Sequence, residues 1–309
     1  MEVRLKLTYD NRVVGYIVEN EGIEKYIKHE DAPIEYKNLR LPEASMEEYL
    51  KGNIVEYPSK SKQIVAQSSS KGNQKKWFHS GIWYKEDFLG YEGKAEWVTS
   101  QILKMSTLAK QDYIEYFEVE IMHQNEVRKG CYSSNFLKEG ETLITLARLF
   151  ESNLYNYEKE LARLNNKRKV SEVISKVLEF TNLNIEDYLR NLFTLDAFIF
   201  NEDRHFNNIA IIHNREKNSF RNAPIFDNGL SLLSDTKTYP EWISVIPNLG
   251  KVKSKPFEID FEEQLNILGH GFKIYKKELE EFLDNSNNKL GRIKEVLEYS
   301  KVVYDYLLI

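Results

Sequence analysis

Two short apolar runs joined by a polar turn, with carboxylates and amides at their open ends, constrain this chain more than any other feature. From Phe200 it reads Phe-Asn-Glu-Asp-Arg-His-Phe-Asn-Asn-Ile-Ala-Ile-Ile, and after a turn Ala-Pro-Ile-Phe-Asp-Asn-Gly, ending at Gly229. Residues 209–213 and 222–226 read as the strands of a β-hairpin, and the polar run 214–219 as its turn. Such a hairpin is expected to set Asn208 and Asp227 at its two open ends, facing each other at about 5 Å. Two oxygen ligands that close suit a hard divalent cation such as Mg²⁺. Asp203 stands five residues ahead of Asn208.

The chain of 309 residues is long enough for two lobes or one large domain. With 41% hydrophobic and 13% aromatic residues it can build a real core, which excludes global disorder. Its single cysteine, Cys131, excludes an internal disulfide framework and fits a reducing compartment. Met-Glu-Val-Arg-Leu-Lys-Leu at the start alternates like a strand and lacks the apolar centre of a secretory signal, so a cytoplasmic location is expected. No apolar run approaches the ~20 residues of a membrane helix, so no membrane span is expected. A net charge of −5 argues against a general polyanion binder, and no direct nucleic-acid partner is expected.

The hydrophobic period changes along the chain. Up to about residue 137 it is strand-like, with short alternating runs at Val3–Thr8, Val13–Val18, Ile64–Gln67, Gly81–Lys85, Ile114–Met122 and Val127–Ser133. One amphipathic helix, Gly93 to Met105, interrupts them, with Trp97, Val98, Ile102, Leu103 and Met105 apolar. From about Thr142 the periods are helical: Leu143, Leu146, Leu149, Phe150 and Leu154 form one stripe, and Val170, Val173, Ile174 and Val177 another. Asn184 can cap a further helix, with Asp187 at its third position, that leads to Phe200. Helices are also expected at Tyr275–Leu283 and Ile293–Leu308. The expectation is an α+β, two-lobed protein kinase-like fold. Residues 1–137 would form a mostly β N-lobe and residues 138–309 a mostly α C-lobe.

The chemistry of phosphoryl transfer explains why these residues belong together. It needs charge neutralisation and alignment more than covalent participation. Asp203 and Asn208 have the D-x-x-x-x-N spacing of a kinase catalytic loop, and Asp227-Asn-Gly takes the place of the metal-binding Asp-Phe-Gly element. Upstream, Ser68, Ser69 and Ser70 open an amide-rich turn, Ser-Ser-Ser-Lys-Gly-Asn-Gln-Lys-Lys, that could cover phosphate oxygens. Lys85 ends the next strand, and Glu96 follows eleven residues later in a helix, with Glu92 just before it. A strand lysine paired with a helix carboxylate is how kinases aim an ammonium at the α- and β-phosphates, and Glu96 is the favoured partner. His205 is counted with the nucleotide site, chiefly to shape the loop through hydrogen bonds. No His/Cys set has zinc spacing, and no Gly-x-Ser-x-Gly or Cys–His pairing suggests acyl transfer.

At Asn-Glu-Asp203-Arg-His205-Phe-Asn-Asn208-Ile and Phe226-Asp227-Asn-Gly229 the sequence resembles the HipA-like kinases, bacterial serine/threonine kinases named for a persistence toxin. Asp-Arg-His-x-x-Asn is also similar to the catalytic loop of the phosphoinositide 3- and 4-kinases. Lys255-Pro-Phe257 with Phe261-Glu-Glu-Gln264, and Tyr91-Glu-Gly-Lys-Ala-Glu96, resemble further stretches of the HipA-like group. The resemblance spans roughly residues 60–270. The chain is short for a full-length toxin and looks closer to compact members, including a small secreted kinase. The resemblance implies Asp203 as general base, Asn208 and Asp227 on Mg²⁺, Lys85 on ATP phosphates, and Ser68–Ser70 over the nucleotide. It also implies autophosphorylation of a serine in that turn, which Lys71, Lys75 and Lys76 could then hold outward. The implied acceptor is a protein Ser or Thr, with an antitoxin-like or host partner, and delivery into a host cell becomes an alternative to a cytoplasmic life. Two other readings stay open: a lipid or small-molecule kinase, and a pseudokinase acting as a nucleotide-gated binding module. The catalytic loop departs from ordinary protein kinases in lacking His-Arg before the Asp.

Overall fold

The computed structural model describes residues 3–9, 12–20, 23–28, 74–79, 81–123, 126–153 and 157–309. The alternating runs near the start are strands β1 (Val3–Tyr9) and β2 (Arg12–Asn20), and β3 (Ile23–Lys28) joins them in an antiparallel sheet of order β1-β2-β3. The expected strand Ile64–Gln67 and the Ser68–Ser70 turn lie outside the described residues.

The four strands β4 (Lys76–His79), β5 (Ile82–Glu86), β6 (Phe117–His123) and β7 (Glu126–Ser134) form an antiparallel sheet of order β4-β5-β7-β6. Between β5 and β6 runs α1 (Glu92–Lys104), which packs on β6 and β7 and buries Ala95, Val98, Ile102 and Leu103. The approach is close because two glycines meet. A Cβ on Gly93 would come within 2.5 Å of the Gly130 carbonyl carbon, and one on Gly130 within 2.0 Å of the Lys85 carbonyl oxygen. Without a Cβ on Gly93 the first turn of α1 lies directly on β7, and without one on Gly130 β7 lies close to β5.

Downstream the chain reads β8 (Glu141–Thr145), α2 (Leu146–Asn153), α3 (Tyr157–Ala162), α4 (Asn166–Thr181), α5 (Glu186–Ile199), then β9 (Ala210–Asn214) and β10 (Ser219–Asn222). β8 corrects the helical reading from Thr142 onward. Leu143 and Leu146 suit a helix by spacing, yet Leu143 sits opposite Ile212 in a sheet of order β10-β9-β8. β9 is buried, so its second edge of backbone N–H and C=O groups needs a partner, and β8 supplies it. The helix period takes over only at Leu146.

α4 starts at Asn165, whose side chain accepts from Arg168 N at 3.0 Å, and it buries Val170, Val173 and Val177 as the stripe requires. Asn184 does not cap α5: the N-cap is Ile185, with no side-chain cap, and Asn184 Oδ1 accepts from Glu186 N at 2.9 Å in the turn that leads into the helix. Asp187 does not close a capping box; it pairs with Arg190. Leu192 to Ile199 of α5 are all buried, so this helix runs through the interior rather than along its surface. Helices α6 (Val245–Leu249), α7 (Phe261–Leu268), α8 (Lys276–Asn285), α9 (Asn287–Leu290) and α10 (Arg292–Val303) complete the described chain.

Among the described residues two apolar clusters hold the downstream parts together. The larger joins α1 to the downstream helices through Ile102, Leu103, Leu192, Phe193, Leu265 and Val296. The smaller, with Ile114, Tyr116, Cys131, Ala210, Ile212, Ala223 and Phe226, packs the four-stranded sheet on the hairpin. The candidate site lies beside this second cluster.

Candidate active site

The hairpin does not use the expected register. Its second strand is Ser219–Asn222 rather than residues 222–226, with Asn222 opposite Ile211. Continued, that register sets Asn208 across from Ile225 and leaves Asp227 two residues further on, so the two do not face each other directly. Pro224 offers no N–H to carry the ladder on. The chain turns away instead: Ile225 N donates to Asp112 O at 2.7 Å, and Ile114 N donates to Ile225 O at 3.0 Å.

A buried guanidinium draws the two ends together. Arg204 is fully buried, and its Nη1 donates to both Asn208 O (3.2 Å) and Phe226 O (2.9 Å). Its Nη2 donates to Asn228 Oδ1 at 2.5 Å and to Asp196 Oδ1 at 2.9 Å. The backbone of the 203–208 loop and the Asp227 loop are thus joined through one side chain, anchored on a carboxylate inside α5. Asn201 Nδ2 donates to the same Asp196 Oδ1 at 2.8 Å. Burial raises the Asp196 carboxyl against the opposing charge of Arg204. Replacing Arg204 by Met strands that carboxylate, and about 3–5 kcal/mol of stability should go with it. Urea unfolding is the check, and the double variant Asp196→Leu with Arg204→Met should recover part of the loss. A cost below about 1 kcal/mol, the level of an exposed ion pair, would show that this pair does not hold the loops.

Lys85 sits at the centre of the polar site. Its Nζ lies 2.5 Å from Glu96 Oε1 and 2.9 Å from Asp227 Oδ1, over the Tyr116 ring. The expected Lys85–Glu96 pair is therefore present. Glu92 is occupied elsewhere: its carboxylate accepts from the N–H groups of Phe88 (3.2 Å), Leu89 (2.5 Å) and Gly90 (2.9 Å), bracing the loop into α1. The second oxygen of Glu96 accepts from Asn228 N at 2.9 Å, so α1 also holds the Asp227-Asn-Gly loop. A Cβ on Gly229 would lie 3.2 Å from Glu92 Cβ, tighter than ordinary contact, so the glycine lets this loop pack closely on α1. Burial would lower the Lys85 ammonium, but Asp227 and Glu96 raise it well above its usual range.

Asp227 adopts a left-handed φ of 57°, which Asp tolerates better than most residues. Its N–H donates to the Tyr116 hydroxyl at 3.3 Å, and the carbonyl before it is held by Arg204. Its Oδ2 takes Lys76 Nζ at 3.2 Å. Burial alone would raise this carboxyl; Lys76 and Lys85 more than offset that and hold it well below the usual range. The stabilisation it lends is therefore present above the unfolded carboxylate range and is lost as pH falls.

Asp203 and His205 are about one-third exposed, at 32% and 31%, so an incoming group can reach them. The loop is a tight series of turns: Asp203 N donates to Asn201 Oδ1 at 3.1 Å, and Asn208 N donates to His205 O at 2.8 Å. Burial raises the Asp203 carboxyl, the charge of Asp227 adds to this, and His205, Arg204 and Asn208 oppose it. Asn208 Nδ2 donates to Asp203 O (2.8 Å) and Oδ2 (3.2 Å). Its Oδ1 is buried with no hydrogen-bond partner. An orphaned amide oxygen is costly. It is also the donor a hard cation takes, so Asn208 together with the Asp227 carboxylate fits Mg²⁺.

Sequence reasoning brought Lys85, Glu96, Asp203, His205, Asn208 and Asp227 to one place. It gave no role to Asp196, Tyr116 or the guanidinium of Arg204, and it read Lys76 only as a hold for the serine turn, whereas Lys76 lies on Asp227. Arg204 stood inside the diagnostic loop, between Asp203 and His205, and these polar neighbours did not mark it as buried. Nothing local marked Asp196 or Tyr116.

No protein-family model and no curated protein matches the chain. Among solved structures it is similar to a Helicobacter pylori proinflammatory kinase, CtkA, with a TM-score of 0.50 and 16% identity over 75% of this chain and 88% of that one. At that identity the likeness is one of fold, and the fold is kinase-like.

Proposed function

We propose that the chain is an ATP- and Mg²⁺-dependent phosphotransferase of the HipA-like type whose acceptor is a serine or threonine of a protein. The observation that carries this reading is Lys85, whose ammonium is held between a helix carboxylate, Glu96, and the carboxylate of the Asp227 loop. A cation so placed can receive phosphate oxygens without moving far, and preorganised charge costs nothing at the moment of reaction. Mg²⁺ on Asp227 and Asn208 Oδ1 would neutralise the charge that develops on the phosphate oxygens. Asp203 accepts the proton of the acceptor hydroxyl, and its exposure suits an incoming protein side chain. His205 shapes the turn that presents it. Within this reading the lobes divide near residue 137, and Ser68, Ser69 and Ser70 cover the nucleotide. A partner protein, antitoxin-like or of a host, would be the source of the acceptor.

The test is incubation with γ-labelled ATP and Mg²⁺, followed by separation of protein and lipid fractions. Label in protein Ser or Thr supports the proposal, and label in lipid alone redirects it to a lipid kinase. Absence of transfer with ATP still bound would mark a pseudokinase. The same labelled protein, analysed by mass spectrometry, reports on Ser68–Ser70. Active enzyme without phosphate there would end the autophosphorylation reading.

A further inference from the structure

Lys76 is a second cation on Asp227, and the reading above gives it no task. It is the direct cross-strand neighbour of Lys85 on β4 and β5, which carries both ammonium groups to one face of the sheet. They divide the Asp227 carboxylate between them, Lys85 on Oδ1 at 2.9 Å and Lys76 on Oδ2 at 3.2 Å. The Lys76 and Asp227 side chains are only 12% and 13% exposed, so water screens this contact little. Lys85 also holds Glu96, and Lys76 reaches the oxygen of Asp227 that a divalent cation would also need.

We propose that Lys76 makes metal and nucleotide binding interdependent: its ammonium competes with a divalent cation for Asp227 Oδ2 and yields when nucleotide phosphates offer it a replacement anion. This rests on the metal–nucleotide reading of the site. An ammonium and a dication repel each other across one carboxylate, so the metal alone meets an occupied oxygen. Once phosphates arrive, Lys76 can shift along its flexible stem to them, and Asp227 becomes available. By linkage each ligand then favours the other by the same factor.

The experiment measures Mn²⁺ binding by electron paramagnetic resonance, without nucleotide and with a non-hydrolysable ATP analogue. In the unsubstituted protein, Mn²⁺ alone should bind weakly, and the analogue should tighten it strongly. In Lys76→Met, Mn²⁺ alone should bind about fivefold tighter or more, and the tightening by the analogue should shrink by a similar factor. Lys76→Arg should keep the original coupling, because it keeps the charge. Should Lys76→Met not melt cooperatively, Lys76→Gln takes its place. Unchanged binding of Mn²⁺ alone in a folded, charge-free variant overturns the inference. If the unsubstituted protein binds no Mn²⁺ even with the analogue, the metal reading of the site itself has failed. If it binds both ligands without coupling, only the role of Lys76 falls.

Discussion

Asp227→Ala should abolish phosphoryl transfer. The substitution removes one of two oxygen ligands proposed for Mg²⁺ and one of two carboxylates that fix Lys85. Metal-based charge stabilisation contributes several kcal/mol to a transition state, so a loss of about 10³-fold or more is expected. Metal-dependent nucleotide binding should weaken in parallel. The variant also leaves the ammonium groups of Lys76 and Lys85 with less negative charge between them, so thermal melting must accompany the assay. Asp227→Asn keeps the shape and the contact to Lys85 in weaker form, and it should be nearly as inactive. A folded Asp227→Ala protein with undiminished transfer would remove Asp227 from the chemistry.

Asp203→Asn should separate chemistry from binding. Asp203 is partly exposed, beside His205 and hydrogen-bonded to Asn208, while the cation-holding contacts belong to Asp227. Its carboxyl is raised by burial, which makes it a better proton acceptor than an ordinary Asp near neutral pH. An amide cannot take that proton, so the rate at saturating ATP should drop about 10²–10⁴-fold while ATP affinity stays within a few-fold. Single-turnover kinetics with a nucleotide titration read both quantities. Weakened ATP binding with a normal saturated rate would instead place Asp203 in the nucleotide pocket.

Much of the site was legible because its parts lie close along the chain. Lys85 and Glu96 are eleven residues apart, a strand end and the helix that follows, and such short spacings leave few geometries. Asp203 and Asn208 share one loop, and their hydrogen bond spans five residues. The β8 strand was not legible, since Leu143 and Leu146 satisfy a helix period equally well. The edge of β9 that β10 leaves unpaired decided between the two, since its backbone groups are buried there and need a partner. The hairpin was recognised but its register was not. The polar residues 214–219 marked the turn, yet they did not say that Ser219 already belongs to a strand.

By itself the sequence determined most of the local elements and the polar turns between them, because periodicity and turn chemistry act over a few residues. Tertiary structure decided what meets in the centre. The Arg204 contact with Asn228 spans 24 residues, Glu96 with Asn228 spans 132, Lys85 with Asp227 spans 142, and Lys76 with Asp227 spans 151. None of these follows from spacing. They depend on Pro224 turning the chain off its hairpin, on Gly93 meeting Gly130, and on a buried Asp196 that Arg204 neutralises. A buried charge must find its counter-charge wherever packing puts one, and packing is a property of the whole fold.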